Sequence, residues 1–155
     1  LLELTLHVGL GTFLPVKTED ITQHHLHKEW FNLPQKTAEA ISAAKAEHRP
    51  VFAVGTTTTR VLESCATGQG TVAARTGETE IYLYPPHQFQ IVDGQITNFH
   101  LPKSSLLMMI AAFVSKPNTP ETFTTFSRSQ LGKAYQHAID HNYRFYSFGD
   151  AMLID

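Results

Sequence analysis

The sequence predicts an α/β fold, a mixed or barrel-like sheet with helices packed on it. Three observations carry that expectation. Alternating or short apolar runs, which read as strands, are interleaved with stretches of helical spacing. The segment from Ser105 to Val114 is apolar all round, the pattern of a central buried helix. With 155 residues and 42% hydrophobic content, the chain is long enough to enclose one genuine core.

Leu2 to Val8 alternates and reads as a half-buried strand. Gly9 and Gly11 break it, and Phe13 to Val16 resumes it as a short strand limited by Pro15. Leu26 to Phe31 is the next strand, with His27 and Glu29 on one face. Pro34 suits the first turn of a helix whose stripe, Ala38, Ile41 and Ala44, runs to His48 before Arg49-Pro50 ends it. Val51 to Val54 is a short buried strand, followed by Gly55, four threonines and a helix start at Arg60. Thr67 to Gly77 is rich in Gly and Thr and reads as a flexible loop. Ile81 to Tyr84 is a strand stopped by Pro85-Pro86. Asp93-Gly94, flanked by Phe89 to Val92 and Gln95 to Phe99, is a hairpin signal. Ser104 or Ser105 caps the buried helix. Thr119-Pro120-Glu121 opens a helix that reaches Asn142, with a weak point at Gly132. Tyr143 to Phe148 is an aromatic strand and Gly149-Asp150 a turn.

Formal net charge is −2 with nine histidines neutral. A nucleic-acid binder usually shows a basic excess, so any RNA contact must come from a local patch or from residues outside this chain. The charged fraction of 17% lies below the roughly 25% usual in soluble domains, which points to surface that faces another domain or subunit. The single cysteine, Cys65, leaves no internal disulfide and fits a reducing, cytoplasmic compartment. No apolar run approaches the ~20 residues of a membrane span. The start, Leu1-Leu2-Glu3-Leu4, has neither a basic leader nor an initiator Met and reads as the interior of a longer protein.

Val51 to Glu63 is the clearest chemical signal: strand, glycine, threonines, helix. A helix N-terminus offers unpaired N–H groups and partial positive charge. Thr56, Thr57 and Thr58 add hydroxyls, and Arg60 can grip a carboxylate bidentately. The unit suits the amino-acid end of a ligand, or a phosphate. It equally suits a Thr-capped helix with Arg60 in a structural ion pair. It lacks the Gly-Lys-Ser/Thr ending of a P-loop. His24, His25, His27 and Glu29 invite a metal reading. No His-Glu-x-x-His pattern and no Cys accompany them, so packed or solvated histidines, and no metal, are expected. His100 and Lys103 lie between a strand and the buried helix, as acid, base or phosphate contacts or as a plain connector. Arg144, among aromatic neighbours, either grips an anion or faces out of a core strand.

Taken together the motifs resemble one family. Leu4-Thr5-Leu6-His7-Val8-Gly9-Leu10-Gly11-Thr12-Phe13 is followed by His24, His27 and Glu29, then by Val54-Gly55-Thr56-Thr57, Arg60 and Leu62-Glu63-Ser64. Ile81, Tyr84-Pro85 and Gln88-Phe89 come next, then Thr97-Asn98-Phe99-His100-Leu101-Pro102-Lys103-Ser104. Tyr143-Arg144-Phe145, Ser147, Gly149-Asp150-Ala151-Met152 and Ile154 complete the series. In this order they resemble the S-adenosylmethionine:tRNA ribosyltransferase-isomerases of queuosine biosynthesis. The chain departs from that family at Thr58-Thr59, where Ser-Val is common, at Trp30, where Tyr is common, and at Pro86-His87, where Gly-Tyr is common.

The resemblance implies the C-terminal part of a larger catalytic domain, without the family's N-terminal half and inserted small β-barrel domain. It implies transfer and isomerisation of the ribosyl part of S-adenosylmethionine onto 7-aminomethyl-7-deazaguanine at the tRNA wobble position. Epoxyqueuosine-tRNA, adenine and methionine are the products, and no metal takes part. On this reading Thr56, Thr57 and Arg60 hold the methionine carboxylate, with Gly9, Gly11, Thr12 and Gly55 as further contacts of S-adenosylmethionine. His100 is the candidate acid or base, with His7 and His27 as rivals. Tyr84, Lys103, Arg144 and Asp150 contact the acceptor or the tRNA. The partners expected are that tRNA and the missing N-terminal half, with no membrane. Two other readings stay open: a truncated, non-catalytic RNA-binding remnant of the same family, and a metal-dependent hydrolase built on the histidines.

Overall fold

The computed structural model describes residues 1–155, the side chains of Phe13 and Phe148 excepted. The strands are β1 (Thr5–Leu6), β2 (Glu29–Leu33), β3 (Phe52–Val54), β4 (Ala66–Gly68), β5 (Thr71–Val72), β6 (Arg75–Thr79), β7 (Gly94–Asn98) and β8 (Ala151–Ile154). The helices are α1 (Gln35–Ala46), α2 (Thr56–Ser64), α3 (Ser105–Phe113) and α4 (Gln130–Asp140). One sheet is antiparallel in the order β1-β2-β6. A second is mixed in the order β3-β7-β8, with β3 and β7 parallel and β8 antiparallel to β7, and β4-β5 make a two-stranded third. The α/β class is as expected, but the sheets are small and separate and do not close into a barrel.

Two apolar clusters hold these parts together. The larger joins Phe31 and Leu33 of β2, Val61 and Leu62 of α2, Leu83, Ile91 and Met109. The smaller joins Phe99, Leu107, Ile110, Leu131, Tyr135 and Ala138. Helix α3 supplies Met109, Ala112 and Phe113 to the first and Leu107, Ile110 and Ala111 to the second. Burial on both sides explains its all-round apolar sequence. Its N-cap is Ser104, whose side chain accepts from the Leu107 N–H at 3.2 Å.

Several expectations need correction, each for a physical reason. After β1, Leu10–Phe13 is a 3₁₀ turn rather than a renewed strand, and Pro15 contributes only an isolated bridge to Ser104. Strand β2 starts at Glu29 rather than Leu26, so His27 lies outside it, exposed, while Glu29 is buried. Val51 to Val54 is not buried on both faces, because Phe52 and Val54 are exposed. Thr67 to Gly77 is no loop: it holds the β4–β5 hairpin and the start of β6, whose polar Arg-Thr-Gly-Glu-Thr sequence hides its pairing with β2. The Asp93-Gly94 hairpin does not form. The Glu63 carboxylate instead accepts the N–H groups of Gln90, Ile91 and Val92 at 2.9, 3.1 and 3.2 Å, and Gly94 opens β7 parallel to β3. Ile81 to Tyr84 carries no strand pairing. The long helix from Thr119 is only α4, capped by Ser129, whose hydroxyl accepts from Gly132 N at 3.0 Å. Tyr143 to Phe148 is no strand: Tyr143 and Phe145 pack their rings on Phe99, Tyr146–Phe148 is a 3₁₀ turn, and β8 starts at Ala151.

Candidate active site

The strand–glycine–threonine unit folds as a parallel strand feeding a helix, and everything else in the site is arranged around that junction. Gly55 has φ +88°, a conformation that disfavours side chains, and its N–H donates to Ile96 O at 2.8 Å. It caps α2 without a side-chain bond, so the first-turn N–H groups of Thr56 and Thr57 face out from a positive helix end. The threonines divide their tasks. Thr58 Oγ1 donates to Val54 O at 2.7 Å and Thr59 Oγ1 to Gln95 Oε1 at 3.0 Å, both tying helix to sheet. Thr56 and Thr57 line a cleft of about 190 Å³.

The other walls come from distant segments. Val8 and Thr12 flank the Gly9–Gly11 turn, Thr97 and Asn98 end β7 and His100 follows it, Leu106 belongs to α3, and Tyr146 and Ser147 sit on the C-terminal 3₁₀ turn. That turn is held by Tyr146 N donating to Phe99 O at 2.9 Å. It is closed by the exposed Arg144–Asp150 pair: Arg144 N to Asp150 Oδ2 at 2.8 Å and Nη2 to Oδ1 at 3.1 Å. That pairing holds the Asp150 carboxyl below its usual range.

His100 is the buried titratable group of the cleft. Its ring Nε2 lies 2.9 Å from Thr97 Oγ1, and its backbone N–H donates to the Tyr135 hydroxyl at 2.8 Å. Burial lowers its pKa to about 4 and raises that of Tyr135 to about 12. At neutral pH the imidazole is therefore uncharged, and burial opposes the charge that it would gain by accepting a proton.

Behind the cleft wall lies a buried charge cluster. The Glu29 carboxylate, 3% exposed, accepts from Gly9 N at 2.7 Å and from Thr12 Oγ1 at 2.6 Å. It also pairs with Arg60 Nη1, which donates in addition to Thr12 Oγ1 at 3.2 Å. Arg60 is 1% exposed, and its Nε and Nη2 have no hydrogen-bond partner among the described residues. The cluster fastens the Gly9–Thr12 turn to α2.

The structure thus brings Thr12, Gly55, Thr56, Thr57 and His100 to one cleft. It does not bring the remaining candidates there. Arg60 takes the ion-pair alternative, one layer behind Thr12. Gly9 gives its N–H to Glu29, and Gly11 lies flush on the His27 ring, where a Cβ would collide. His7 packs at a tilt on exposed Trp30, ring centroids 4.7 Å apart, and Tyr84 packs on Tyr82. Lys103 lines a separate apolar groove between α3 and α4, which it shares with His100. The expected common face of His27 and Glu29 is absent, since one is outside and the other inside. Tyr146 was not legible as a cleft residue. Val8, Thr97, Asn98, Leu106 and Ser147 carried a signal only as members of motifs. A larger hollow of about 1020 Å³ shares no residue with this cleft, and its titratable side chains, Asp93, Glu121 and Asp155, are all acidic.

Comparison with known proteins shows a family. The family described as queuosine biosynthesis protein matches residues 1–154. An S-adenosylmethionine:tRNA ribosyltransferase-isomerase of Acinetobacter baumannii is 51% identical over 153 residues, 98% of this chain and 41% of the relative. One from Acaryochloris marina is 52% identical over 151 residues, 97% of this chain and 37% of the relative. The crystal structure of an S-adenosylmethionine tRNA ribosyltransferase from Thermotoga maritima superposes with a TM-score of 0.64 at 37% identity, covering 82% of this chain and 40% of that one. The chain therefore spans about two-fifths of the length of such relatives. Over that span it belongs to the queuosine biosynthesis protein family.

Proposed function

We propose that this chain forms part of the larger catalytic domain of an enzyme that moves the ribosyl group of S-adenosylmethionine onto 7-aminomethyl-7-deazaguanine in tRNA and isomerises it. Epoxyqueuosine-tRNA, adenine and methionine would leave. The observation that carries this reading is the cleft itself, where the open N-terminus of α2 meets Thr12, Thr57 and a neutral, buried His100. Anions are favoured at such a helix end, which suits the carboxylate of the methionine moiety. The reaction needs a base for a proton made acidic by the neighbouring sulfonium; His100 is the candidate by its place in the cleft, and the charge it would gain there has to be offset by the bound substrate, since burial alone opposes it. Protonation of adenine as it departs calls for a different donor. Arg60 acts through Glu29 and Thr12, holding the cleft wall. Arg144 and Asp150 act by presenting Tyr146 and Ser147. Lys103, exposed, is left for phosphate contact. Ligand clefts usually enclose roughly 300–1,000 Å³. The 190 Å³ found here fits a site completed by polypeptide outside this chain.

The test uses this chain joined to the outlying regions of the Acinetobacter baumannii relative. Adenine release from S-adenosylmethionine is followed in the presence of tRNA carrying the aminomethyl base. Thr57→Val should raise the KM for S-adenosylmethionine by roughly 2- to 10-fold, the value of one neutral hydrogen bond, and leave tRNA affinity unchanged. Failure of the fused protein to release adenine at any tRNA concentration would sink the reading.

A further inference from the structure

The sheet β3-β7-β8 has its polarity reversed. On one face Ala53, Gln95 and Thr97 are buried. On the other, the register sets Val54, Ile96 and Leu153 in one row across the three strands. Phe52 lies beside that row, its ring over Gly94. These four side chains are 46% (Phe52), 57% (Val54), 39% (Ile96) and 61% (Leu153) exposed. A sheet with one face in water places its polar residues outward, and a parallel pair such as β3–β7 normally has both faces covered. Here the glutamine and threonine point in, and the isoleucine, valine, leucine and phenylalanine point out. A contiguous apolar patch of this kind marks an interaction surface. The patch extends past β3, whose outer edge has no neighbouring strand among the described residues, into a groove of about 680 Å³ lined by Leu2, Leu4, Ala40, Ala44, Phe52 and Val54.

Length decides what covers it. About three-fifths of the Acinetobacter relative, and as much of the Thermotoga protein, lies outside the region this chain matches. We propose that the outer face of β3-β7-β8 and the adjoining groove seat that outlying polypeptide, which lays apolar side chains over Phe52, Val54, Ile96 and Leu153. The inference rests on the family relationship and not on the proposed chemistry. A second copy of this chain is the rival occupant.

The experiment compares two proteins: this chain alone, and the same chain joined to the outlying regions of the Acinetobacter relative. Val54→Lys with Ile96→Lys is placed in both, and thermal unfolding is recorded. The fused protein should lose about 5 °C or more in Tm, because two buried apolar side chains become charges, while the chain alone shifts by no more than about 2 °C. The milder pair Val54→Thr with Ile96→Thr should give a smaller drop in the same direction, which keeps the readout graded if the lysines abolish folding. Trp30→Lys, an exposed aromatic on the other sheet, serves as the control and should behave alike in both. Equal drops in the two proteins would mean that the face supports this chain's own fold. No drop in either would mean that it faces water. Both outcomes overturn the proposal, as would a dimer of the chain alone that the same substitutions dissociate. Adenine release is not measured, so an inactive fusion leaves the result readable.

Discussion

Glu29 and Arg60 hold each other where neither is stable alone. Both side chains are 1% exposed, and removing one end leaves a buried, uncompensated charge at a cost of about 3–5 kcal/mol. Glu29→Gln should lower the free energy of urea unfolding by that order, and the double variant Glu29→Gln, Arg60→Met should recover part of the loss. If Glu29→Gln leaves the urea midpoint unmoved, the pair is not the clamp described above. His100 gives a second test, in pH. Its folded pKa of about 4 lies below the ordinary 6.5, so the unfolded chain takes up the proton first as pH falls. Stability present above pH 6.5 is therefore lost down to pH 4, by roughly 3 kcal/mol for this group, and His100→Gln should flatten that part of the curve. His24, lowered by burial, leaves a smaller slope of the same sign. Urea midpoints at pH 7.5 and 4.5 decide it. Thr57 and His100 were legible as candidates because a glycine–threonine helix start and a loop histidine have local signatures, while Thr12 entered only with the family resemblance. The service of Glu29 was not, because its partners lie 20, 17 and 31 residues away in sequence.

At the level of elements, local signals worked where the local chain decides the outcome. Pro34 and Ser104 mark the starts of α1 and α3, and α3 is buried on both sides as its pattern required. They failed where a distant group takes the backbone. The Phe89–Val92 run looks like a strand, yet three of its N–H groups belong to Glu63, on another element. Helix α4 shows the same lesson at Gly132. Helix spacing alone cannot reveal that this residue lies against the Phe126 carbonyl, where an added Cβ would overlap the oxygen. In an open helix Gly→Ala gains up to about 1 kcal/mol. Here the neighbour is backbone and cannot swing aside, so Gly132→Ala should destabilise, by about 1–3 kcal/mol, as overpacking does. Ser129→Ala, which removes the cap, should cost about 1 kcal/mol. A Gly132→Ala variant that melts higher than the parent would show that α4 starts elsewhere.

For the whole molecule, the α/β class and the order of motifs were readable, but not which faces of the fold stay uncovered. The cleft is too small for a nucleoside-sized ligand, and the sheet beside it exposes four large apolar side chains. Both features have one cause if the domain is shared with polypeptide outside the 155 residues. Such a site depends on positioning. Holding reactants in attack geometry contributes ~7–11 kcal/mol of barrier lowering, and an incomplete set of walls forfeits it. The 155-residue chain alone should therefore release no adenine from S-adenosylmethionine above background, even with saturating tRNA bearing the aminomethyl base. Adding the outlying polypeptide should restore release, with a rate that rises with its concentration until the two are equimolar. A measurable turnover by the chain alone would show that the small cleft is already the complete site, and that the domain needs no further polypeptide for catalysis.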